Sequence, residues 1–387
     1  MSNEILVKDS LRLAHIQRLC DIREPYNLSS ETEKIFNIAL REAIDWHSCN
    51  CEFYKNFLIL NNFFVEDYQL DKIAETLPFL HANFFKTHEV LSVPKSEIVL
   101  TLTSSGTTGQ KSQMFFDDWS IKSSRRMVDF IFDYFEFITP NNEVNYFLFA
   151  YEPLENFNVG TTNTNVYLTS YAPAKNIFFA LRNTGVGKHE FDIFGSIEKI
   201  KEYSEEGLPV RFTGFPAFMY FTLKRMEDFG ISSLNLNPES LVIFGGGWKG
   251  YADQAIPKVE LYNMINRQLG IPLERIRQTF GSVEHSIPYL ECENHNLHVP
   301  IWSKVFVRDV KTLEILDYHQ QGYLNFVTPY ITSVPAISVL MGDIGELYPS
   351  DECSCGISTP FFNITGRAGI SHNKSCAISA AELLKGK

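Results

Sequence analysis

The sequence predicts an α/β core behind a mainly helical N-terminal region, and three features of the chain carry that expectation. Ser30 precedes Glu33 in a capping-box pattern, and Ile35, Ile38, Ala39, Ala43 and Trp46 then follow at helical spacing. From Glu97 the texture changes to short β-type runs that end in loops, with helical segments between them. Alternation of that kind favours a sheet covered by helices, with ligand loops at the strand ends. Finally, of 387 residues 44% are hydrophobic and 21% charged, enough apolar surface for a large core.

The elements follow in order. Residues 1–95 read as the helical region, 96–365 as the core and 366–387 as a short tail. "EIVLTLT" reads as a strand, "QMFFDD" as its return and "SIKSSRRMVDFIFDYFEFI" as a helix. "VNYFLFAY", "VRFTGFP", "SLVIFGGG" and "RIRQTFGSVE" read as strands ending at loops. "GSIEKIKEYSEE" and "ADQAIPKVELYNMINRQLG" read as helices between them. After Pro288 the chain becomes more β-like, through "KVFVRDVKTLEIL" and "QGYLNFVT". The 32 Phe residues are expected mainly in the core, some of them lining an apolar tunnel.

Composition excludes several functions. The net charge is −12 and no basic block occurs, which argues against a nucleic-acid polymer as partner. No segment has the ~18 consecutive apolar residues of a membrane span. Residues 1–20 are mixed and charged, unlike a signal peptide. With seven cysteines and no export signal, a reduced cytoplasm is the expected compartment.

Four stretches carry chemistry. "SSGTTGQK" combines Ser104, Ser105, Gly106, Thr107, Thr108, Gly109 and Lys111, a set that suits phosphate oxygens. It departs from the P-loop pattern, which needs four residues between its glycines and Lys directly after the second. A polar turn is the plain alternative. "FGGGWKG" places Gly245, Gly246 and Gly247 after a β-type run, as a loop approached closely by a ligand. "QTFGSVEHS" carries Glu284, a carboxylate suited to Mg²⁺ between phosphates. "MGDIGEL" sets Asp343 between glycines, suited to ribose hydroxyls. Each alone is more often a turn than a site; their order is the signal.

In that order they resemble the adenylate-forming superfamily, which includes acyl-CoA synthetases and firefly luciferase. The resemblance implies its large domain, mixed sheets sandwiched by helices. It implies ATP and Mg²⁺ as cofactors, with the Ser104–Lys111 loop on the triphosphate. Gly245–Gly247 and Phe280, Gly281 and Ser282 would face adenine, Glu284 Mg²⁺, and Asp343 with Arg367 the ribose. Family members continue for about a hundred residues past a Gly-Arg hinge like Gly366-Arg367, in a domain bearing a catalytic lysine. Here residues 368–387 follow instead, a truncated tail that holds Cys376. Lys249 is the candidate substitute for that lysine.

This shape is similar to the acyl-protein synthetase family of bacterial bioluminescence, the long-chain-fatty-acid–luciferin-component ligases, on "FGSVEHSIPYLECENHNLHVP" and the tail "CAISAAELL". The similarity implies adenylation of a long-chain fatty acid and transfer of the acyl group to Cys376. Delivery would follow to an acyl-accepting fatty-acid (acyl-CoA-type) reductase that makes aldehyde, with an acyl transferase in the same complex. A thiolate is a natural acceptor for a mixed anhydride, and Lys374 nearby is either a modulator or a plain surface lysine. The competing readings are a ligase using CoA or another soluble thiol, and a non-catalytic nucleotide- or lipid-binding subunit.

Cys292, His298, Cys353 and Cys355 form an acceptable tetrahedral Zn²⁺ set, set against free reduced thiols because the spacing is not a standard finger. His298 is preferred to His295 because it lies in the β-type run "LHVP". Cys49 and Cys51 read as packing thiols. His285 reads as structural or substrate-lining rather than a general base for the thiol.

Overall fold

The computed structural model describes residues 5–103, 113–153, 165–185, 188–231 and 233–368, and of Lys249 the backbone only. The loop Ser104–Lys111 and Cys376 therefore lie outside the described residues.

The N-terminal region holds α1 (Ala14–Asp21), α2 (Ser30–Asn50), α3 (Glu52–Leu60) and α4 (Ile73–Thr76), then β1 (Leu80–His81). The capping box of α2 is real but one residue earlier than expected. Ser29, with extended backbone, is the cap, and its hydroxyl accepts from the Thr32 amide. The Thr32 hydroxyl accepts from the Ser29 amide at 2.9 Å, so Thr32 fills the role expected of Glu33. Cys51 is buried where α2 meets α3, whereas Cys49 is exposed on the last turn of α2 and packs nothing away.

β2 (Ile98–Thr103) and β3 (Gln113–Asp117) form the expected antiparallel pair, and α5 (Asp118–Tyr134) follows with Asp117 as its cap. β4 (Val144–Tyr151), β5 (Ala174–Gly185) and β6 (Lys188–Phe191) come next. Then α6 (Ile193–Glu206), β7 (Val210–Gly214), α7 (Pro216–Asp228), β8 (Leu241–Phe244), α8 (Lys258–Leu269) and β9 (Ile276–Phe280) alternate. With β10 (Tyr289–Leu290) they build a seven-stranded sheet in the order β10-β9-β8-β7-β4-β5-β6, parallel from β9 to β5. Both faces are covered. Phe147 and Phe149 of β4 and Val242 and Phe244 of β8 pack with α6, α7 and α8, while Leu241 and Ile243 turn to the opposite core.

A second sheet is mostly antiparallel. β11 (Leu297–His298), β12 (Lys304–Arg308), β13 (Gly322–Val327), β14 (Ser338–Tyr348) and β15 (Phe361–Arg367) run in the order β11-β15-β14-β13-β12, and β1 adds in parallel to β14. The N-terminal helices share one hydrophobic cluster with this sheet, β3 and α5. Two buried rings of α2 and one of α5 converge on residues 330–332. Trp46 Nε1 donates to Thr332 O at 2.9 Å, and Trp119 Nε1 to Tyr330 O at 3.2 Å. His47 Nε2 faces Ile331 O at 3.0 Å and its Nδ1 faces Ser92 Oγ at 2.6 Å. Between a carbonyl and a hydroxyl the ring is a neutral Nε2–H tautomer.

Burial lowers the pKa of His47 to about 4, though Ile331 O favours the charged form. The unfolded chain, near 6.5, then binds the extra proton between those values, so stability falls as pH drops from 6.5 toward 4. Urea unfolding at pH 7.5, 6 and 5 should show that fall, and His47→Gln should reduce proton uptake on unfolding by about one. An unchanged pH slope in His47→Gln would contradict the role given to this ring.

Candidate active site

The parallel strands β7, β8 and β9 end on one edge, and β8 and β9 each run into a candidate loop. The neighbouring pair β4 and β7 marks the point where chain order reverses, the place where open α/β sheets bind ligands. Gly214 at the end of β7 has φ +120°, and a Cβ there would lie 2.3 Å from Phe149 O. Only glycine fits, and the adjacent Gly245 amide donates to Gly214 O at 2.9 Å. Gly246 and Gly247 have φ of 75° and 64°, so the triple glycine turns the chain away from the sheet. Thr279 Oγ1 donates to Phe244 O at 2.9 Å and locks this loop to β9. Lys249 opens a 3₁₀ turn, Lys249–Gln254, directly after the loop.

Beside the triple glycine lies a cleft of about 100 Å³, lined by Phe244, Trp248, Ile256, Lys258, Leu261, Tyr262, Gln278 and Pro216. Sequence reading missed its polar members Lys258, Tyr262 and Gln278. The available signal was position: Gln278 sits two residues before the strand end, and Lys258 follows Pro257 at the start of α8. Phe280 turns elsewhere. Its ring packs against Phe326 at 5.6 Å and Phe362 at 5.9 Å, in the aromatic cluster between the two sheets.

After β9 the segment Ser282–Ser286 closes on itself, with the Ser286 amide donating to Ser282 O at 2.8 Å. Glu284 within it is 6% exposed, and among the described residues no hydrogen bond or ion pair reaches its carboxylate. A carboxylate that no protein donor occupies is free to take a cation. Ser124 of α5 donates to Ser286 O at 3.1 Å, tying this turn to the helix that follows the β2–β3 hairpin. His285 Nε2 faces Tyr289 Oη at 2.9 Å and Ser303 Oγ at 3.1 Å, and burial lowers its pKa to about 3. It is a structural histidine.

"MGDIGEL" is not a turn but the middle of β14. Asp343 and Arg367 sit opposite each other on β14 and β15, with Nε and Oδ1 3.8 Å apart. Burial raises the Asp343 pKa, opposed by the Arg367 guanidinium, whose side chain is 61% exposed. Ser282 Oγ donates to Met341 Sδ at 3.9 Å, so the Glu284 turn touches β14 two residues before Asp343. Glu284, Asp343 and Arg367 thus belong to adjoining elements.

The four predicted metal ligands come together, with all ligand atoms within 4.8 Å of one another. Cys292 Sγ lies 3.7 Å from Cys353 Sγ, Cys353 Sγ 3.3 Å from Cys355 Sγ, and Cys355 Sγ 3.3 Å from His298 Nε2. His298 Nδ1 faces Thr359 O at 2.7 Å, which leaves the Nε2 lone pair aimed at the thiols. Asn294 and Asn296 both donate to Cys353 Sγ, at 3.7 and 3.3 Å. His295, the rejected alternative, packs instead against the Tyr262 ring.

Comparison with known proteins places this architecture. The family model described as "Acyl-protein synthetase, LuxE" matches residues 7–385. The long-chain-fatty-acid–luciferin-component ligase of Vibrio harveyi is 24% identical over 368 residues, spanning 92% of this chain and 90% of that protein. Its counterpart in Aliivibrio fischeri is 24% identical over 383 residues, spanning 96% and 95%. Among solved structures, an open conformation of 2-hydroxyisobutyryl-CoA ligase in complex with 2-HIB-AMP and CoA superposes with a TM-score of 0.65. It is 16% identical and spans 90% of this chain and 73% of its own, a likeness of fold. The same ligase in the postadenylation state gives the same score over 71% of its own chain. The chain has the adenylate-forming ligase fold and belongs to the acyl-protein synthetase, LuxE, family of ligases.

Proposed function

We propose that the protein activates a long-chain fatty acid with ATP and then carries the acyl group on its own Cys376. The observation that supports this most is Glu284, in the turn just beyond β9, whose carboxylate meets no donor among the described residues and whose turn touches the strand bearing Asp343, opposite Arg367. The fatty-acid carboxylate attacks the α-phosphorus of ATP, forming acyl-AMP as pyrophosphate leaves. The Cys376 thiolate then attacks the acyl carbonyl, forming a thioester and expelling AMP. From there the acyl group passes to a reductase that makes long-chain aldehyde, in keeping with the luciferin-component ligases this chain resembles.

Each residue has a stated task. The backbone and hydroxyls of the Ser104–Lys111 loop, with the Lys111 ammonium, bind the triphosphate. The cleft beside Gly245–Gly247 takes adenine, with Gln278 and Trp248 on its walls. Glu284 would hold Mg²⁺, which when bound neutralises charge on the departing pyrophosphate. Asp343 accepts from ribose hydroxyls while Arg367 steadies its charge. Lys249, just beyond the triple glycine, supplies a cation to the reacting phosphates.

Fatty-acid-dependent ATP–pyrophosphate exchange tests the first step, and a pure binding subunit would show none. Glu284→Gln should cut exchange on the order of a hundredfold, because the metal's contribution is several kcal/mol. Exchange unaltered in Glu284→Gln would remove that residue from the site. Lys249→Ala should slow exchange about tenfold or more with little change in KM for the fatty acid. A Lys249→Ala variant with wild-type kcat would dismiss the lysine.

A further inference from the structure

The chain crosses from one sheet to the other between β10 and β11. β10 closes the seven-stranded sheet and β11 edges the other, and Cys292 lies between them with His298 on β11. Cys353 and Cys355 come from the connection between β14 and β15. The four side chains therefore meet where the crossover passes the turn of the second sheet. We propose that they hold one Zn²⁺ that staples the two sheets together and so sets the spacing between Glu284, carried by the first, and Asp343 with Arg367, carried by the second.

Geometry supports the metal directly. In a tetrahedral site with Zn–S near 2.3 Å and Zn–N near 2.0 Å, neighbouring sulfurs lie about 3.8 Å apart and sulfur and nitrogen about 3.5 Å. The contacts of 3.7, 3.3 and 3.3 Å are close to those spacings. They are far longer than an S–S bond of about 2.05 Å, and six described cysteines are unbonded. The surroundings also suit a thiolate cluster. Two amide groups donate to Cys353 Sγ, and Thr359 O fixes the His298 tautomer that presents Nε2. Cys292, His298 and Cys353 are buried, with Cys355 half-buried at the open side. Tyr26 is packed against the same cluster, and its buried hydroxyl has no partner of its own.

The connections on either side of the cluster lead to both parts of the candidate active site. Cys292 is preceded by Glu291, whose carboxylate accepts from the Gln278 amide of β9. Cys353 and Cys355 are bracketed by the strands bearing Asp343 and Arg367. A tetrahedral ion joining them removes freedom from two segments that the sheets alone leave unpaired. The N-terminal segment is gathered in as well, because Ser358 Oγ donates to Tyr26 O at 3.1 Å and the Ile301 amide to Pro25 O at 2.8 Å.

Two measurements decide the metal without any substrate. Protein purified without chelator should contain about one zinc per chain, and Cys355→Ser and His298→Ala should each lose most of it. Replacement by Co²⁺ should give the intense visible bands of a tetrahedral S₃N site. Less than about 0.1 zinc per chain after anaerobic reconstitution, or octahedral Co²⁺ bands, overturns the site. The coupling rests on the ATP site argued above and is read separately. Cys355→Ser, the least buried ligand, should lower Tm and raise KM for ATP about tenfold while kcat changes less. A metal-free Cys355→Ser protein with wild-type Tm and KM for ATP overturns the staple. Because metal content and Co²⁺ spectra are read without ATP, failure of the ATP reading would leave the metal assignment standing.

Discussion

Glu291 holds the point at which the chain leaves one sheet for the other. Its carboxylate is 2% exposed, and Lys258 Nζ, Tyr262 Oη and the Gln278 amide all donate to it, at 2.6, 2.9 and 2.8 Å. Burial raises its pKa, while these three partners favour the ionised form. Dehydrating a carboxylate costs several kcal/mol, and a charge-assisted set of this size is needed to offset it. The carboxylate joins α8, β9 and the crossover in one network. Lys258 extends it by donating to His295 O at 2.9 Å, which fixes the loop leading to His298. Loss of one partner would weaken the set that offsets burial of this charge, so the crossover has little freedom to drift.

The candidate active site inherits its precision from that fixed crossover. Strands β7, β8 and β9 present glycine-rich ends because the chain must turn sharply there, with Gly214 pressed against Phe149 O. Glu284 is carried just beyond β9, and its turn contacts β14 through Ser282 and Met341. Asp343 and Arg367 face each other across β14 and β15. The aromatic cluster of Phe280, Tyr289, Phe326 and Phe362 fills the space between these elements. Rings that composition alone would assign to core or tunnel serve here as the wedge between two sheets. Dense packing of this kind transmits small displacements, so distant substitutions in it should be felt at the site.

Much of this was legible in the sequence where local rules govern. Runs such as "SLVI" and "VNYFLFAY" end at loops and became β8 and β4. The Cys₃His set was legible because few residue types bind metal and they fall in two short stretches, Cys292 with His298 and Cys353 with Cys355. Other features depend on partners far along the chain. Ser29 rather than Ser30 caps α2 because the backbone direction before the helix decides, and Thr32 takes the place of the Glu or Gln that the pattern asks for. Asp343 looked like a turn residue between glycines, yet backbone pairing with β15 holds it extended. Helix α7 was hidden because "FP" marks both a strand end and the Pro-initiated start of a helix. Trp248, Lys258 and Tyr262 could not be found from spacing, since only the stacking of α8 on the sheet brings them to one cleft.

The central claim is that an adenylating site in the strand-end loops feeds a thiol in the tail. Intact-mass measurement tests it most directly, on wild type and Cys376→Ser after incubation with ATP and a long-chain fatty acid. The account predicts that wild type gains one acyl group, removable by neutral hydroxylamine, and that Cys376→Ser gains none yet still releases pyrophosphate. Hydroxylamine-sensitive acylation that persists in Cys376→Ser, or acyl transfer that requires added CoA, would contradict it.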